Sequence, residues 1–468
     1  MPKDKFKNKL CDSKMTFEDC ELAILRNAVD ETEKKIGIDK VNNEDVKNML
    51  VTVESFIKRK KLICYGGTAI NNILPESEQF YNKQIEIPDY DFFSDNPIKH
   101  AKELADIYHK QGYKEVEAKS GVHYGTFKVF VNYIPIADIT FLHPEIFKKV
   151  SKESLLIDGL RYAPPNFLRM AMYLELSRPL GDISRWEKVY KRLSLLNKSY
   201  PMKTKNCKPE LFTGDDNSPT SDLNNLLRDS LIKQDVVFFG GFSSFLYSKY
   251  MHENEQNLAK SISEFDVLAE DPEKTANAIK DNLKDNEYTD IKVLKHKEIG
   301  EVIPLHYEIK VKGQTRVFIF APIACHSYNQ IRAKKRKINV ATIDTILSFY
   351  LAFLYADMPY YNKDRLLCLS EFLLKIIEKN KLNDRGLLKR FTMKCFGKQK
   401  TLEDIRSDKT NKFKEFTENK VDRESKEYNM WFLRYIPKGP RNKTKKKKEV
   451  SKSKTLKNVS RSTKTFLI

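Results

Sequence analysis

One pattern that occurs twice constrains the fold of this 468-residue chain more than any other feature. An apolar run ends in a glycine pair, first in LICYGG and later in VVFFGG, and an apolar stretch with helical spacing follows each pair. An acidic strand comes next at almost the same distance. Asp91 lies 24 residues after the second glycine of the first copy, and Asp266 lies 25 residues after that of the second. Because a buried strand, a glycine turn and a helix form one folding unit, we predict two homologous α+β domains in tandem.

The segments around the two copies predict the rest of the organisation. One of them is rich in Gly, Pro, Ser, Asn and Asp, which is typical of a linker. The last 31 residues contain twelve Lys or Arg, one acid and few apolar side chains, so we predict that they are disordered. The predicted divisions are an N-terminal helical cap at 1–60, a first domain at 61–198, the linker at 199–225, a second domain at 226–437 and a basic tail at 438–468.

The net charge of +20 is divided between this tail, which carries +11, and the other 437 residues, which carry +9. A basic body favours a polyanionic partner, because lysines and arginines that neutralise phosphates release counterions. A surface charged for solubility has the same balance, so charge alone leaves both interpretations open. The longest apolar runs, such as LSFYLAFLYA, are far shorter than the roughly 20 residues of a bilayer helix, and we predict no membrane partner.

The seven cysteines are scattered and odd in number, and no CxxC pair occurs among them. This usage argues against a disulfide framework and against a structural zinc site. We therefore expect the cysteines to be reduced thiols.

Gly66, Gly67 and Thr68 mark a candidate phosphate-binding turn. Between a strand and a helix, missing side chains let phosphate oxygens approach the backbone N–H groups at the positive end of the helix dipole. The hydroxyl of Thr68 adds a donor at the same place. Downstream, Asp89 and Asp91 are separated by one residue within a predicted strand, so the period of two points both carboxylates to the same face. Such a pair can bridge divalent metal ions.

Asp138 is a third acid, in the middle of the otherwise apolar segment IPIADITFL. A carboxylate buried there is costly unless it meets a cation or a metal, or lies at an exposed strand end. Three carboxylates on adjacent strands can hold two Mg²⁺ or Mn²⁺ ions, one for the attacking oxygen and one for the leaving phosphates. A glycine pair alone fits any tight turn, and an Asp pair alone fits a solvated strand end. Their conjunction with Asp138 predicts phosphoryl or nucleotidyl transfer.

Basic and aromatic residues are interleaved in the segment DISRWEKVYKRL. Arg185 and Lys188 have helical spacing, and Trp186 and Tyr190 lie beside them. The segment fits a surface that binds phosphates and stacks bases near the active site. It fits an ordinary amphipathic helix with a core tryptophan equally well. We keep Arg185 and Lys188 as candidate nucleotide-binding residues.

The segments CYGGTAIN, PDYDFFS, YIPIADITF and RWEKVYKRL together resemble a known family. The glycine pair and the acids are similar in order and spacing to those of the polymerase-β-type nucleotidyltransferases. Within that superfamily, the chain resembles the poly(A) polymerase catalytic subunits of the nucleocytoplasmic large DNA viruses over about residues 20–437. The resemblance implies two tandem nucleotidyltransferase domains, the second degenerate, and template-independent addition of AMP from ATP to mRNA 3′ ends.

The resemblance also implies roles for particular residues. Three acids become the metal-binding catalytic triad: Asp89, Asp91 and Asp138. Three further residues become the turn that holds the triphosphate: Gly66, Gly67 and Thr68. The implied partners are ATP, an RNA 3′ end, Mg²⁺ or Mn²⁺, and either a second copy of the chain or a viral processivity factor. The implied location is the host cytoplasm at viral factories, with packaging in the virion as an alternative.

The second copy departs from the pattern, although it keeps both glycines, Glu264 and Asp266. The segment VFIFAP, in the place of the third acidic strand, contains no acid, and Phe242 replaces the hydroxyl after the glycine pair. We therefore predict a structural, RNA-facing role for this copy. Two alternatives remain for the whole chain. One is another template-independent transferase, of the uridylyl or CCA-adding type, and the other is an RNA-binding scaffold with an inactive transferase fold.

Overall fold

The computed structural model describes residues 9–438 except for 13, 83, 205–206, 208–221, 257–263, 334–335 and 382. The predicted basic tail lies outside the described residues apart from Lys438, and so does most of the predicted linker. None of the described helices combines the length and the apolar character that crossing a membrane requires.

Helices and strands alternate along the described chain, which confirms the predicted α+β class. The helices are α1 (Phe17–Asn42), α2 (Glu44–Lys60), α3 (Gly66–Ile73), α4 (Pro97–Lys110), α5 (Pro144–Glu153), α6 (Pro165–Leu176), α7 (Trp186–Ser199), α8 (Asp222–Lys233), α9 (Gly241–Ser248), α10 (Glu253–Gln256), α11 (Pro272–Asp285), α12 (Ile343–Phe353), α13 (Lys363–Lys379), α14 (Leu402–Glu418) and α15 (Lys426–Phe432). The strands are β1 (Ile63–Cys64), β2 (Tyr90–Ser94), β3 (Val116–Ser120), β4 (Thr126–Val131), β5 (Ile134–Phe141), β6 (Leu155–Ile157), β7 (Leu160–Tyr162), β8 (Val237–Phe238), β9 (Phe265–Leu268), β10 (Ile291–His296), β11 (His306–Val311), β12 (Gln314–Phe320), β13 (His326–Ala333), β14 (Arg336–Ala341), β15 (Cys395–Phe396) and β16 (Arg434–Tyr435).

The described strands form two eight-stranded sheets with the same internal order. The first sheet runs β16-β3-β4-β5-β2-β1-β7-β6, and the second runs β10-β11-β12-β9-β8-β14-β13-β15. When the edge strands β16 and β15 are set aside, each strand of one sheet has a counterpart at the same place in the other. Every pair of neighbouring strands also has the same relative direction as its counterpart. The two sequence copies therefore share one topology.

Backbone hydrogen bonds show which residues of the two copies are equivalent. The N–H group of Tyr65, just before the first glycine pair, donates to the carbonyl oxygen of Asp91 over 2.9 Å. The N–H group of Phe239, just before the second pair, donates to the carbonyl oxygen of Asp266 over 3.0 Å. Asp91 and Asp266 therefore occupy matching positions beside the two turns.

Two helices precede the first sheet. α1 begins with a capping box, in which the side chain of each of Thr16 and Asp19 accepts a hydrogen bond from the backbone of the other. α2 buries Val46, Val53 and Ile57 at helical spacing, and it contacts β5 and β7. With these buried side chains, α2 packs on the first sheet and forms part of its hydrophobic core.

The two halves of the chain are joined through α6 and α12, which pack against each other. The N–H group of Ser327 also donates to the carbonyl oxygen of Ser177 over 2.8 Å. Asp344 of α12 is completely buried and accepts two hydrogen bonds from Arg390, at 2.8 and 2.5 Å. The chain finally returns to the first sheet, because β16 pairs with β3. The sequence placed residues 434–435 with the second domain, whereas the structure adds them to the edge of the first sheet.

Six of the seven cysteines form three disulfides, which corrects the expectation of reduced thiols. The bonded pairs are Cys11–Cys20, Cys207–Cys368 and Cys325–Cys395, with Cα–Cα distances of 5.1, 5.5 and 5.1 Å. The last two pairs join residues 161 and 70 positions apart, so local spacing in the sequence carries no sign of them. Cys64 is free and buried in β1, where burial raises the pKa of its thiol to about 12 and makes it unreactive.

Candidate active site

The first glycine pair opens α3 directly after β1. No side chain of the described residues caps this helix, so its first backbone N–H groups are available to a ligand. Gly66 has a φ of +74°, a left-handed conformation that favours glycine. A Cβ atom at this position would lie 2.7 Å from Oδ2 of Asp91. The turn and the acid can therefore approach each other only because a side chain is absent.

Gly67 lies beside the guanidinium group of Arg192. A Cβ atom at Gly67 would lie 2.4 Å from the hydroxyl oxygen of Tyr81 and 2.9 Å from Nη1 of Arg192. Arg192 reaches this place from α7, donates from Nη2 to the Tyr81 hydroxyl over 2.8 Å, and lies 4.9 Å from the ring centre of Phe80. These contacts hold a guanidinium group beside the N-terminus of α3, where the sequence predicts bound phosphate.

Thr68 is 5% exposed, and its hydroxyl oxygen is buried without a hydrogen-bond partner among the described residues. A buried polar group without a partner costs about 1–3 kcal/mol. A ligand atom that hydrogen-bonds this hydroxyl would remove that cost. The position of Thr68 therefore agrees with its predicted role in holding phosphate.

Asp91 and Asp138 lie beside each other on two parallel strands. β2 and β5 are neighbours in the first sheet, and the Cα atoms of Asp91 and Asp138 are direct partners in their register. Paired residues on adjacent strands project to the same face of a sheet. The structure thus brings together two acids that are 47 positions apart in the sequence.

Asp89 differs from the prediction, which placed it inside the strand. β2 begins at Tyr90, so Asp89 lies one residue before it. The carbonyl oxygen of Asp89 accepts the N–H group of Asp91 over 3.2 Å, a short-range bond of the kind found at strand ends. The side chain of Asp89 is exposed, and its negative charge acts on Asp91.

The electrostatics of Asp91 show that the three acids are close. Burial, followed by the negative charges of Asp138 and Asp89, raises the pKa of Asp91 to about 7. The positive charges of Lys128 and Arg185 act in the opposite direction. A divalent cation among these carboxylates would remove the repulsion between them.

Lys128 is a site residue that the sequence analysis missed. It is the register partner of Asp138 on β4, and the two side chains form an ion pair. This ion pair is partly exposed to solvent, since the side chains of Lys128 and Asp138 are 38% and 27% exposed. The sequence pattern that could have identified Lys128 is the alternation of buried and less buried residues in TFKVFV. Lys128 lies there between the buried residues Phe127 and Val129.

The donor set fits a hard divalent cation. Within the part of the chain that the structure describes, no three acidic, histidine or cysteine side chains form a ready-made ligand cluster. The three acids nevertheless offer carboxylate oxygens, which Mg²⁺ and Mn²⁺ prefer, from paired strands and the residue before one of them. Asp89, Asp91 and Asp138 are the residues that would hold such ions, and Lys128 would release Asp138 as they bind.

The two predicted basic residues lie at the start of α7. Arg185 directly precedes this helix and pairs with Glu175 over 3.3 Å, and its charge acts on the pKa of Asp91. Lys188 is exposed and lies one helical turn before Arg192. Arg185, Lys188 and Arg192 therefore share one face of the segment, and Arg192 is the member that contacts the glycine turn.

The aromatic residues of the same segment contact Phe391. The indole N–H group of Trp186 donates to the carbonyl oxygen of Glu175 over 3.1 Å, and its ring packs 5.7 Å from that of Phe391. Tyr190 meets the same Phe391 ring edge to face, at 6.2 Å. Because Tyr190 and Phe391 stay exposed, a base-stacking surface remains a prediction.

This architecture defines the class of the protein. It is an α+β protein in which the unit of strand, glycine turn, helix and acidic strand occurs twice, on two sheets of matching topology. Residues 51–182 match the sequence model of the family described as the poly(A) polymerase catalytic subunit. That segment contains the glycine turn and all three candidate catalytic acids.

Individual relatives match about a third of the chain. A protein of African swine fever virus (strain Badajoz 1971 Vero-adapted), named as a candidate poly(A) polymerase catalytic subunit, is 32% identical over 167 residues, which are 34% of this chain and 35% of that protein. A protein of Acanthamoeba polyphaga mimivirus with the same name is 30% identical over 158 residues, 33% of this chain and 26% of that protein. The chain thus spans about a third of the length of these curated relatives, or less.

The similarity in fold extends over most of the chain. The crystal structure of the Megavirus polyadenylate synthase superimposes with a TM-score of 0.72 at 18% identity and covers 87% of this chain and 86% of that one. The resemblance to viral poly(A) polymerase catalytic subunits is therefore confirmed for residues 51–182. Arg185, Lys188 and Arg192 lie just beyond that segment.

Proposed function

We propose that the protein is a template-independent RNA adenylyltransferase that transfers AMP from ATP to RNA 3′ ends. The observation that carries the proposal is the register of β2 and β5, which sets Asp91 beside Asp138 and directly against the turn at Gly66. The description of the family whose model matches residues 51–182 and the names of the similar proteins support adenylate as the transferred group. The basic balance of the chain agrees with a nucleic-acid substrate.

Each part of the site has a task in this reaction. The N–H groups at the start of α3 and the hydroxyl of Thr68 bind phosphate oxygens of ATP, and Arg192 neutralises their charge. Asp89, Asp91 and Asp138 hold the divalent ions. Mg²⁺ or Mn²⁺ bound there supplies the positive charge that activates the attacking 3′ oxygen and stabilises the leaving pyrophosphate.

Two alternatives differ from this proposal in testable ways. A uridylyl or CCA-adding enzyme would use the same acids, because carboxylates that bind metal do not read the base. An inactive RNA-binding scaffold would require the loss of an acid, whereas the first copy keeps Asp89, Asp91 and Asp138. A homodimer and a complex with a viral processivity factor both remain proposals, as does the location in the host cytoplasm.

The proposal is tested with the full chain, a short RNA primer, Mg²⁺ and each nucleoside triphosphate separately. We expect extension with ATP and at least about 10-fold slower extension with the other three, since a hydrogen-bonded base site discriminates by about 1–3 kcal/mol or more. Preferential extension with UTP or CTP would establish the first alternative. RNA binding without extension by any nucleotide, in Mg²⁺ and in Mn²⁺, would establish the scaffold.

Arg192 provides a test of how the site binds ATP. Replacing Arg192 by Ala removes a cation held beside Gly67, so we expect kcat/KM for ATP to fall by about 10- to 100-fold, the cost of one charge-assisted hydrogen bond. Steady-state extension rates at varied ATP concentration measure the change.

Lys191→Ala is the matched control for Arg192→Ala. Lys191 is the next residue on α7, is exposed, and pairs with Glu187 over 2.6 Å. The control removes the same charge from the same helix, and we expect it to change kcat/KM less than about twofold. Equal losses in the two variants would show that Arg192 acts only through the general charge of the surface.

A further inference from the structure

The second copy contains a site at the position equivalent to the candidate active site of the first, but different residues form it. Strands β9 and β12 are parallel neighbours, as β2 and β5 are in the first sheet, and Phe318 is the register partner of Asp266. Phe318 therefore stands where the first copy has Asp138. Sequence comparison found no acid in this strand, and the register identifies the single residue that replaces it.

A guanidinium group lies inside this second site. Arg365 of α13 donates from Nη1 to Oε1 of Glu264 over 2.6 Å, and the two side chains are only 16% and 19% exposed. A Cβ atom at Gly241 would lie 3.4 Å from Nη2 of the same arginine. Arg365 thus contacts both the acid before β9 and the glycine turn, which are the counterparts of the metal-binding and phosphate-binding parts of the first site.

In the second site the positive charge of Arg365 lies beside both acids. Burial, followed by the charge of Glu264, raises the pKa of Asp266 well above its usual value, and the charge of Arg365 acts in the opposite direction. Glu264 and Arg365 form an ion pair of opposite charges. A carboxylate left buried without such a partner would be strongly unfavourable.

A small cavity lies within the second site. Gly241, Asp266, Phe318, Tyr350 and Arg365 line this cavity, whose volume is about 30 Å³. A cavity of that volume has room for about two water molecules. The aromatic ring of Phe318, packed 4.7 Å from the ring centre of Tyr360, closes the side on which the third acid would stand.

We propose that Arg365 takes, in the second copy, the place that divalent cations and phosphate take in the first, so that the second copy is held together by a guanidinium group and binds neither metal nor nucleotide. The comparison with metal in the first copy rests on the proposed function. The position of Arg365 and its balance with Glu264 do not depend on that function. The proposal predicts that removing the guanidinium group exposes a latent cation site formed by Glu264 and Asp266.

The experiment measures this latent site in a full chain whose first site is silenced by Asp91→Asn and Asp138→Asn. Three proteins are compared by thermal unfolding with and without millimolar Mn²⁺. They are this background chain, the background chain with Arg365→Ala, and the background chain with both Arg365→Ala and Glu264→Gln. We expect Arg365→Ala to lower the midpoint in the absence of metal and Mn²⁺ to raise it again by about 5 °C. The background chain and the chain that also lacks the Glu264 charge should respond to Mn²⁺ by less than about 1 °C.

An equal Mn²⁺ response in all three proteins would overturn the proposal. Because the first site is silenced throughout, this result would leave the proposed polymerase activity untouched, and a failure of that activity would not affect this measurement. If Arg365→Ala does not fold, the combination Arg365→Met, Glu264→Gln and Asp266→Asn decides the question, since it leaves no buried charge. We expect that combination to fold, with a midpoint within about 5 °C of the background chain. Failure of the neutral combination to fold would show that the second site needs more than a balance of charge, which also overturns the proposal.

Discussion

Replacing Asp89, Asp91 or Asp138 singly by Asn is expected to lower ATP-dependent primer extension by about 1000-fold or more. An amide keeps the volume of the side chain but loses the negative charge that holds a divalent cation, and several kcal/mol of transition-state stabilisation depend on that cation. Each change also relieves repulsion among the three acids, and the ion pair with Lys128 that Asp138→Asn removes is partly exposed and contributes little, so the thermal midpoint should stay about the same or rise. Extension assays and thermal unfolding, run on the same preparations, separate the two effects.

Asp266→Asn in the second copy is the matched control for these variants. It makes the same chemical change at the equivalent position, where Phe318 replaces the third acid and Arg365 supplies a positive charge. We expect extension at saturating RNA to change less than about twofold. Near-normal extension by the Asp138 variant would show that another residue is the third ligand. A collapse of extension in the Asp266 variant would show that the second copy takes part in the chemistry.

The largest expected effect on stability is at Asp344, where Asp344→Asn should destabilise the fold by about 3 kcal/mol. Asp344 is completely buried, and its carboxylate binds Nε and Nη2 of Arg390 at 2.8 and 2.5 Å. The amide leaves the guanidinium charge of Arg390 buried without compensation, which is the costly way to break a buried ion pair. For a unit of 150–250 residues this corresponds to a midpoint about 6–12 °C lower, measured by thermal unfolding.

An exposed ion pair provides the comparison for Asp344. Glu187 and Lys191 on α7 are 79% and 71% exposed, and Glu187→Gln should shift the midpoint by less than about 2 °C. The double change Asp344→Leu and Arg390→Met leaves no buried charge, so we expect it to be more stable than Asp344→Asn. A midpoint for Asp344→Asn that matches that of Glu187→Gln would contradict the argument.

The first candidate site could be found in the sequence because its signals are local. Gly66 and Gly67 between an apolar run and a helical stretch identify the turn, since strand and helix periods and the absence of a side chain are properties of adjacent residues. Asp91 and Asp138 stand out because each is an acid within an otherwise apolar segment. The same reasoning found the duplication and the missing acid of the second copy.

Prediction failed where the outcome depended on distant partners. The cysteines were expected to be reduced, yet two of the three disulfides join residues 161 and 70 positions apart. The sequence left open whether Trp186 and Tyr190 contact nucleic acid or the protein core, and the structure sets both rings against Phe391, about 200 positions away. No local pattern indicates which of two such surroundings a ring will have.

The α+β class, the repeated strand, glycine turn and helix, and the acids that could carry the chemistry follow from local sequence, because each is specified by neighbours along the chain. Which residues share a site depends on the tertiary structure. The register of β2 and β5 sets Asp91 against Asp138, α7 brings Arg192 to Gly67, and α13 brings Arg365 to Glu264 across 101 positions. These contacts follow from strand register and helix packing, which depend on how the whole core is filled rather than on any short segment.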